Sequence, residues 1–265
     1  MSIKLATLAY APPPSFGCAR VFMENLQKFP SRYDLLIYSE HDWPGAIKIK
    51  SPEILKGAKF ADGKPNKFAI PNATFFTGLR IAASKGYTHM LFLESDCRVG
   101  QKHYDEVIFD EFFSMGRPLI AAGTLACFNP CAAGGESARR WARLVARNIK
   151  RNVPVATYGW LPALVKGPSC VFPNGALAVY DVTWCQRFWD LGNTIQLSAL
   201  TTAYDMALGT EIWKRFEEDS YEVVGWLDSV GSFYGDVLTS ALERREMLLS
   251  GKIVAGHQHK DDWQP

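Results

Sequence analysis

The 265-residue chain has almost no surplus of charge: 29 Lys and Arg stand against 27 Asp and Glu, a formal net charge of +2. That balance excludes a global electrostatic pull toward nucleic acid or acidic lipid, so any such attraction has to come from a local patch. No apolar run approaches the ~18 residues that a membrane span requires. Met1-Ser2-Ile3-Lys4-Leu5 opens directly into a strand-like run, without the long apolar core and small-residue cleavage site of a secretory leader. The expectation is a cytoplasmic protein, peripheral to a membrane at most. The six cysteines (Cys18, Cys97, Cys127, Cys131, Cys170 and Cys185) are scattered and form no C-x-x-C pair. Cys127 and Cys131 lack a second ligand pair at zinc-site spacing, so buried free thiols are expected. Internal repeats, low-complexity tracts and a linker between domains are also missing. With 48% hydrophobic and 21% charged residues, the chain has the material for a sizeable core.

What is present alternates. Residues 3–10 read as a strand, and Pro12-Pro13-Pro14 force a loop after it. A helix is expected over 18–28, with Val21, Phe22, Leu26 and Phe29 as its apolar side. A second strand over 33–38 ends in Ser39-Glu40-His41-Asp42. Residues 51–71 have no clear periodicity. Asn72 is a candidate N-cap for a helix to Ser84 that Gly86 ends, and a strand follows at once. Later strands are expected over 119–122, 176–180 and 252–255, and helices over 205–216 and 240–249. Strand–helix–strand alternation predicts an α/β fold with a mostly parallel central sheet flanked by helices.

Two segments carry chemistry. The apolar strand Met90-Leu91-Phe92-Leu93 ends in Glu94-Ser95-Asp96. On an extended chain, residues two apart point the same way, which sets both carboxylates on one side. At the end of a buried strand they face the crevice where open α/β sheets bind ligands, and hard divalent cations favour oxygen donors. The other segment is an expected helix over 136–153. Arg139, Arg140, Arg143, Arg147, Lys150 and Arg151 share one arc, and Trp141, Leu144, Val145 and Ile149 the opposite one. A solvated face and a contact with a polyanion, whether DNA or an anionic membrane surface, both fit that stripe.

Four features occur in a telling order: a strand, loop and second strand ending in polar residues; Gly78 to Tyr87 ahead of Leu91 to Asp96; Phe172 to Tyr180 followed by Tyr204 to Gly209; and Val254-Ala-Gly-His257-Gln-His259-Lys260. Together they resemble nucleotide-sugar-dependent glycosyltransferases of the GT-A fold, over most of the chain. The resemblance implies a Rossmann-like single domain. Residues 1–100 would form the donor part. Residues 101–265 would form the acceptor part, with the basic helix and the C-terminal motif.

It also implies roles. Glu94-Ser95-Asp96 looks like the family's D-x-D motif with glutamate in first place, so Asp96 would bind Mn²⁺ or Mg²⁺ at the donor diphosphate. Glu94 would touch the donor or reach the metal through water. His257 resembles the histidine that completes the metal site, with His259 competing for that role, and Lys260 the base that steadies phosphates. Asp205 is the expected general base and Asp236 the alternative. Tyr10 and Glu40 stand where the family holds its nucleotide. Asn174-Gly175 would open the acceptor side, where Trp160 and Trp184 are available to stack on rings, and Arg143 and Arg147 to meet an anionic acceptor.

The implied activity is transfer of a sugar to an acceptor hydroxyl, with a glycan or lipid-linked glycan favoured. A hydroxyl-bearing modified base of DNA and a non-catalytic nucleotide-sugar or glycan binding module are the alternatives. A sugar-nucleotide pyrophosphorylase fits less well, because the loop after the first strand is Pro-rich and carries only Arg20.

Overall fold

Seven strands form the central sheet of the computed structural model, which describes residues 2–50, 63, 69–116, 118–123, 125–128, 155–158, 171–173, 175–190, 204–205, 208, 223–231 and 241–257. In chain order the elements that position the site begin with β1 (Leu5–Tyr10), α1 (Gly17–Lys28), β2 (Asp34–Ser39), β3 (Ile47–Lys48), α2 (Ala69–Ser84), β4 (His89–Leu93) and β5 (Cys97–Val99). Next come α3 (Tyr104–Ser114), β6 (Ile120–Ala122), β7 (Leu125–Phe128), β8 (Val155–Tyr158) and β9 (Val171–Pro173). The chain continues through β10 (Leu177–Asp181), α4 (Val182–Asp190), β11 (Val224–Trp226), β12 (Val230–Gly231), α5 (Ala241–Leu249) and β13 (Ala255–His257).

The central sheet runs β11-β6-β10-β4-β1-β2-β3. Its pairs are parallel except where β10 lies antiparallel between β4 and β6. Two smaller sheets, β12-β13-β5 and β8-β7-β9, hold the other strands among the described residues.

Both faces of the central sheet are covered, which is why its strands read as unbroken apolar runs rather than alternating ones. Met90, Leu91, Phe92 and Leu93 have no exposed surface at all. Met90 and Phe92 point to a core built with Phe75, Phe76 and Leu79 of α2, while Leu91 and Leu93 point to one built with Phe22 and Leu26 of α1 and Phe109 and Phe112 of α3. The α/β architecture is therefore the expected one.

Local expectations were met unevenly. Helix α1 buries Cys18, Ala19, Phe22, Met23 and Leu26, whereas Val21 and Phe29 are only partly covered. Asn72 is not an N-cap but a fully buried residue inside α2, which already runs at Ala69. Pro71 does not block that start, because the first turn of a helix has amide groups without intrahelical acceptors and loses nothing where proline has none. Gly86 closes the segment after α2 at φ +74°, a left-handed conformation suited to glycine. The C-terminal strand lies at 255–257 rather than 252–255. Cys18, Cys97 and Cys185 are buried free thiols as anticipated. The expected basic helix over 136–153 lies outside the described residues. Among the described residues, no helix is long and apolar enough to cross a membrane.

Candidate metal centre

The site forms at the carboxyl ends of the central strands, where chain order reverses between β1 and β4. Ala9 pairs with Leu93, so Tyr10 at the end of β1 and Glu94 just beyond β4 emerge side by side. In open α/β sheets this is the crevice that receives ligands. Extended geometry is not what brings Glu94 and Asp96 together, however. β4 stops at Leu93, and the amide of Cys97 donates to the carbonyl of Glu94 at 3.0 Å, so residues 94–97 make a turn before β5 begins. Glu94 is anchored from the other side by its own amide, which donates to the Ala176 carbonyl at 2.9 Å.

β13 supplies the third member. It lies antiparallel to β5 with His257 opposite Cys97, which brings the imidazole beside the acidic turn. His257 Nε2 is 3.1 Å from Asp96 Oδ1, with both residues buried. Glu94, Asp96 and His257 each offer one ligand atom, and these atoms all lie within 4.8 Å of one another. Two carboxylate oxygens and an imidazole nitrogen form a donor set that suits a divalent cation such as Mn²⁺ or Mg²⁺.

The electrostatics point the same way. The Glu94 carboxyl is pushed up to about 7, first by burial and then by the charge of Asp96, with Asp205 adding to the push. His257 and a hydrogen bond from Tyr204 oppose it. A carboxyl whose pKa is raised on folding contributes its full stability below the unfolded value, and that contribution is lost as pH rises through the folded value. The metal-free protein is therefore expected to lose stability between pH 4.5 and about 7. The share due to Glu94 is at most on the order of 3 kcal/mol. Thermal melts in EDTA across that range check this: Glu94→Gln should flatten the slope, and an unchanged slope would remove Glu94 as its cause.

Residues 204 and 205, helical in backbone, come up beside Glu94 and Gly175. Tyr204 and Asp205 are consecutive, and both are buried. The Tyr204 hydroxyl donates to Glu94 Oε1 at 2.8 Å, and Asp205 Oδ2 accepts the Gly175 amide at 3.1 Å. A side chain at 175 has nowhere to go: a Cβ there would stand 2.5 Å from Tyr204 Cε2, 2.6 Å from the Tyr180 hydroxyl and 2.8 Å from Asp205 Cβ. Burial, with the Glu94 charge second, holds the Tyr204 phenol well above its ordinary pKa, so it stays a donor.

Tyr10 and Glu40, expected at the nucleotide, meet each other. Burial and then the Glu40 carboxylate raise the Tyr10 phenol, and the two are hydrogen-bonded.

Trp184 is a correction. β10 runs antiparallel and its Asp181 faces His89 at the start of β4, so Trp184 stands at the opposite end of the sheet from Glu94. There its amide donates to Asp181 Oδ1 at 2.8 Å, and its ring packs on the core. Tyr204 was missed by the sequence reading, although it adjoins Asp205; a hydroxyl beside a candidate base was the available signal. Asn174, Trp160, Arg143, Arg147, Asp236, His259 and Lys260 lie outside the described residues.

No family model matches the chain, and no curated protein matches it. Solved structures do. One is a glycosyltransferase involved in glycosylation of the major capsid of PBCV-1, 12% identical, covering 98% of this chain and 96% of its own at a TM-score of 0.47. Mouse xyloside xylosyltransferase 1 in its apo form is 12% identical, covering 99% and 100% at a TM-score of 0.46. The galactosyltransferase LgtC, in complex with donor and acceptor sugar analogs, is 11% identical and covers 95% and 86% at a TM-score of 0.44.

Proposed function

We propose that the chain is a metal-dependent glycosyltransferase that moves a sugar from a nucleoside-diphosphate sugar to an acceptor hydroxyl, with a glycan or lipid-linked glycan as the favoured acceptor. The observation that supports this reading is the convergence of Glu94, Asp96 and His257, from two distant parts of the chain, at the crevice between β1 and β4.

Asp96 and His257 would hold the cation, with Glu94 touching the donor or reaching the cation through water. When bound, a divalent cation supplies positive charge where the departing diphosphate accumulates negative charge. An imidazole among the donors favours Mn²⁺ over the harder Mg²⁺. Tyr10 and Glu40, at the ends of β1 and β2, would face the nucleotide, and Lys260 would steady its phosphates. Asp205 would take the proton from the acceptor hydroxyl. Its contact with the Gly175 amide fixes one oxygen and so orients the carboxylate for that task. Gly175 is held as glycine by packing, since Tyr204, Tyr180 and Asp205 fill the space a side chain would need, and the Asn174-Gly175 turn would open the acceptor side.

The test is a thermal-shift and hydrolysis screen of nucleoside diphosphates and their sugars, each with Mn²⁺, Mg²⁺ or EDTA. The expected result is stabilisation by one nucleoside-diphosphate family in Mn²⁺ and none in EDTA. A ligand at a hundredfold excess over its Kd raises stability by about 2.7 kcal/mol. Absence of any metal-dependent shift and of any donor hydrolysis would move the reading to a binding module.

A further inference from the structure

The chemistry proposed for the centre leaves one buried contact unused, and it concerns how Glu94 is held. Glu94 is the member of the trio with most reason to turn away. Asp96 lies in the same turn, Asp205 lies near enough for its charge to act on Glu94, and all three groups are acidic. Like charges in a site with little water repel strongly, so a carboxylate free to rotate would swing out of a metal-binding arrangement.

The Tyr204 hydroxyl opposes that movement. It donates to Glu94 Oε1 at 2.8 Å from a residue 110 positions later in the chain. Its ring cannot move aside. It lies flat on Phe75 of α2, with centroids 4.1 Å apart and planes 4° from parallel, and it meets Phe92 of β4 edge-on at 5.9 Å. Tyr204 is only 2% exposed.

We propose that Tyr204 is the positioning residue of the metal centre: its hydroxyl occupies one oxygen of Glu94 and so presents the other as a direct protein ligand to the divalent cation. This rests on the metal-dependent reading above. Glu94 thereby changes from a donor-contacting or water-bridged group to a coordinating one. Consecutive residues serve both halves of the site, because the next residue, Asp205, grips the Gly175 amide. Hydrogen bonds that orient metal ligands typically govern 10–100-fold in metal affinity.

The experiment is titration of the full chain with Mn²⁺ alone, followed by calorimetry and by the electron paramagnetic resonance spectrum of the bound ion. Tyr204→Phe keeps the ring stacked on Phe75 and removes only the hydroxyl. It is expected to raise the Mn²⁺ Kd by about 10-fold or more and to alter the spectrum of the bound ion. In a Glu94→Gln background, the same substitution is expected to change the Kd by less than about twofold, because its effect passes through the carboxylate. Thermal melts in EDTA accompany both, so that loss of affinity is read only on folded protein. If Tyr204→Phe itself melts early, Glu94→Gln alone still decides the matter: unchanged Mn²⁺ affinity and spectrum would mean that Glu94 is no ligand. Wild-type binding with an unaffected Tyr204→Phe, or an equal loss in both backgrounds, overturns the assignment alone. A wild-type chain that takes up no Mn²⁺ overturns the metal reading itself.

Discussion

Replacing Asp96 with asparagine is expected to lower the proposed metal-dependent sugar transfer by ~100-fold or more while leaving the fold intact. The side chain keeps its shape and loses its charge. Asp96 Oδ1 is 3.1 Å from His257 Nε2, and both residues are buried, so no surface carboxylate replaces it as a ligand. The neutral amide also removes a like charge from beside Glu94, the largest influence on that carboxyl after burial itself. The same substitution should therefore bring the Glu94 pKa back down and lessen the loss of stability between pH 4.5 and about 7. Activity and metal-free stability then move in opposite directions, as expected where an active site concentrates repulsive charge. Assays of transfer in Mn²⁺, paired with melts in EDTA, test both halves. Retained turnover would show that the metal lies elsewhere.

The largest expected effect on stability comes from a residue with no chemistry. Gly123 follows β6, and a Cβ there would lie 2.1 Å from the Val230 carbonyl oxygen and 2.7 Å from its carbon. Two backbones touch at this point, where the central sheet meets the β12-β13-β5 sheet. Neighbouring bonds pin the approach: the Leu227 amide donates to the Ala122 carbonyl at 2.9 Å, and Trp226 Nε1 to the Gly123 carbonyl at 3.1 Å. A flexible side chain could move aside, but a backbone carbonyl in a sheet cannot without breaking its ladder. Gly123→Ala is expected to cost about 3 kcal/mol and to lower Tm by roughly 6–12 °C. Gly17→Ala is the control, because a Cβ there meets nothing within 4 Å. It should melt at the wild-type temperature or slightly above, since alanine is the better helix former at the start of α1. Equal melting of the two variants would contradict the close approach at Val230.

The parts of this molecule that were legible in its sequence are those whose signal is local. β1, β2 and β4 announce themselves as short apolar runs, and Gly86 and Gly251 mark the ends of helical segments. Asp96 stood out as a polar residue at the end of an apolar strand, whereas His257 was singled out only by the resemblance to the GT-A family; the structure sets the two 3.1 Å apart. Direction was not legible. Nothing in Leu177–Asp181 says that β10 runs against its neighbours, because hydrophobic pattern is the same read either way. The misplacement of Trp184 followed directly from that. β5, β12 and β13 are two or three residues long, too short for any period to register, and their pairing is a tertiary event. The turn at 94–97 was misread as extended chain because the run is apolar right up to Glu94. Tyr204 was hidden for a different reason: its partner is 110 residues away, and nothing near it in the chain announces an acidic neighbour.

β13 also bears on the order in which the protein assembles. β1 and β2 are close in sequence, while β1 and β4 pair across about 84 residues. The phenol reaches the acidic turn across 110 residues and the imidazole across a longer span still, and contacts so far apart in the chain form late. On dilution from denaturant, circular dichroism from the early sheet should therefore recover before the proposed cation site is complete. Metal uptake would then act as a clock for the final docking step, timing the moment at which distant segments arrive.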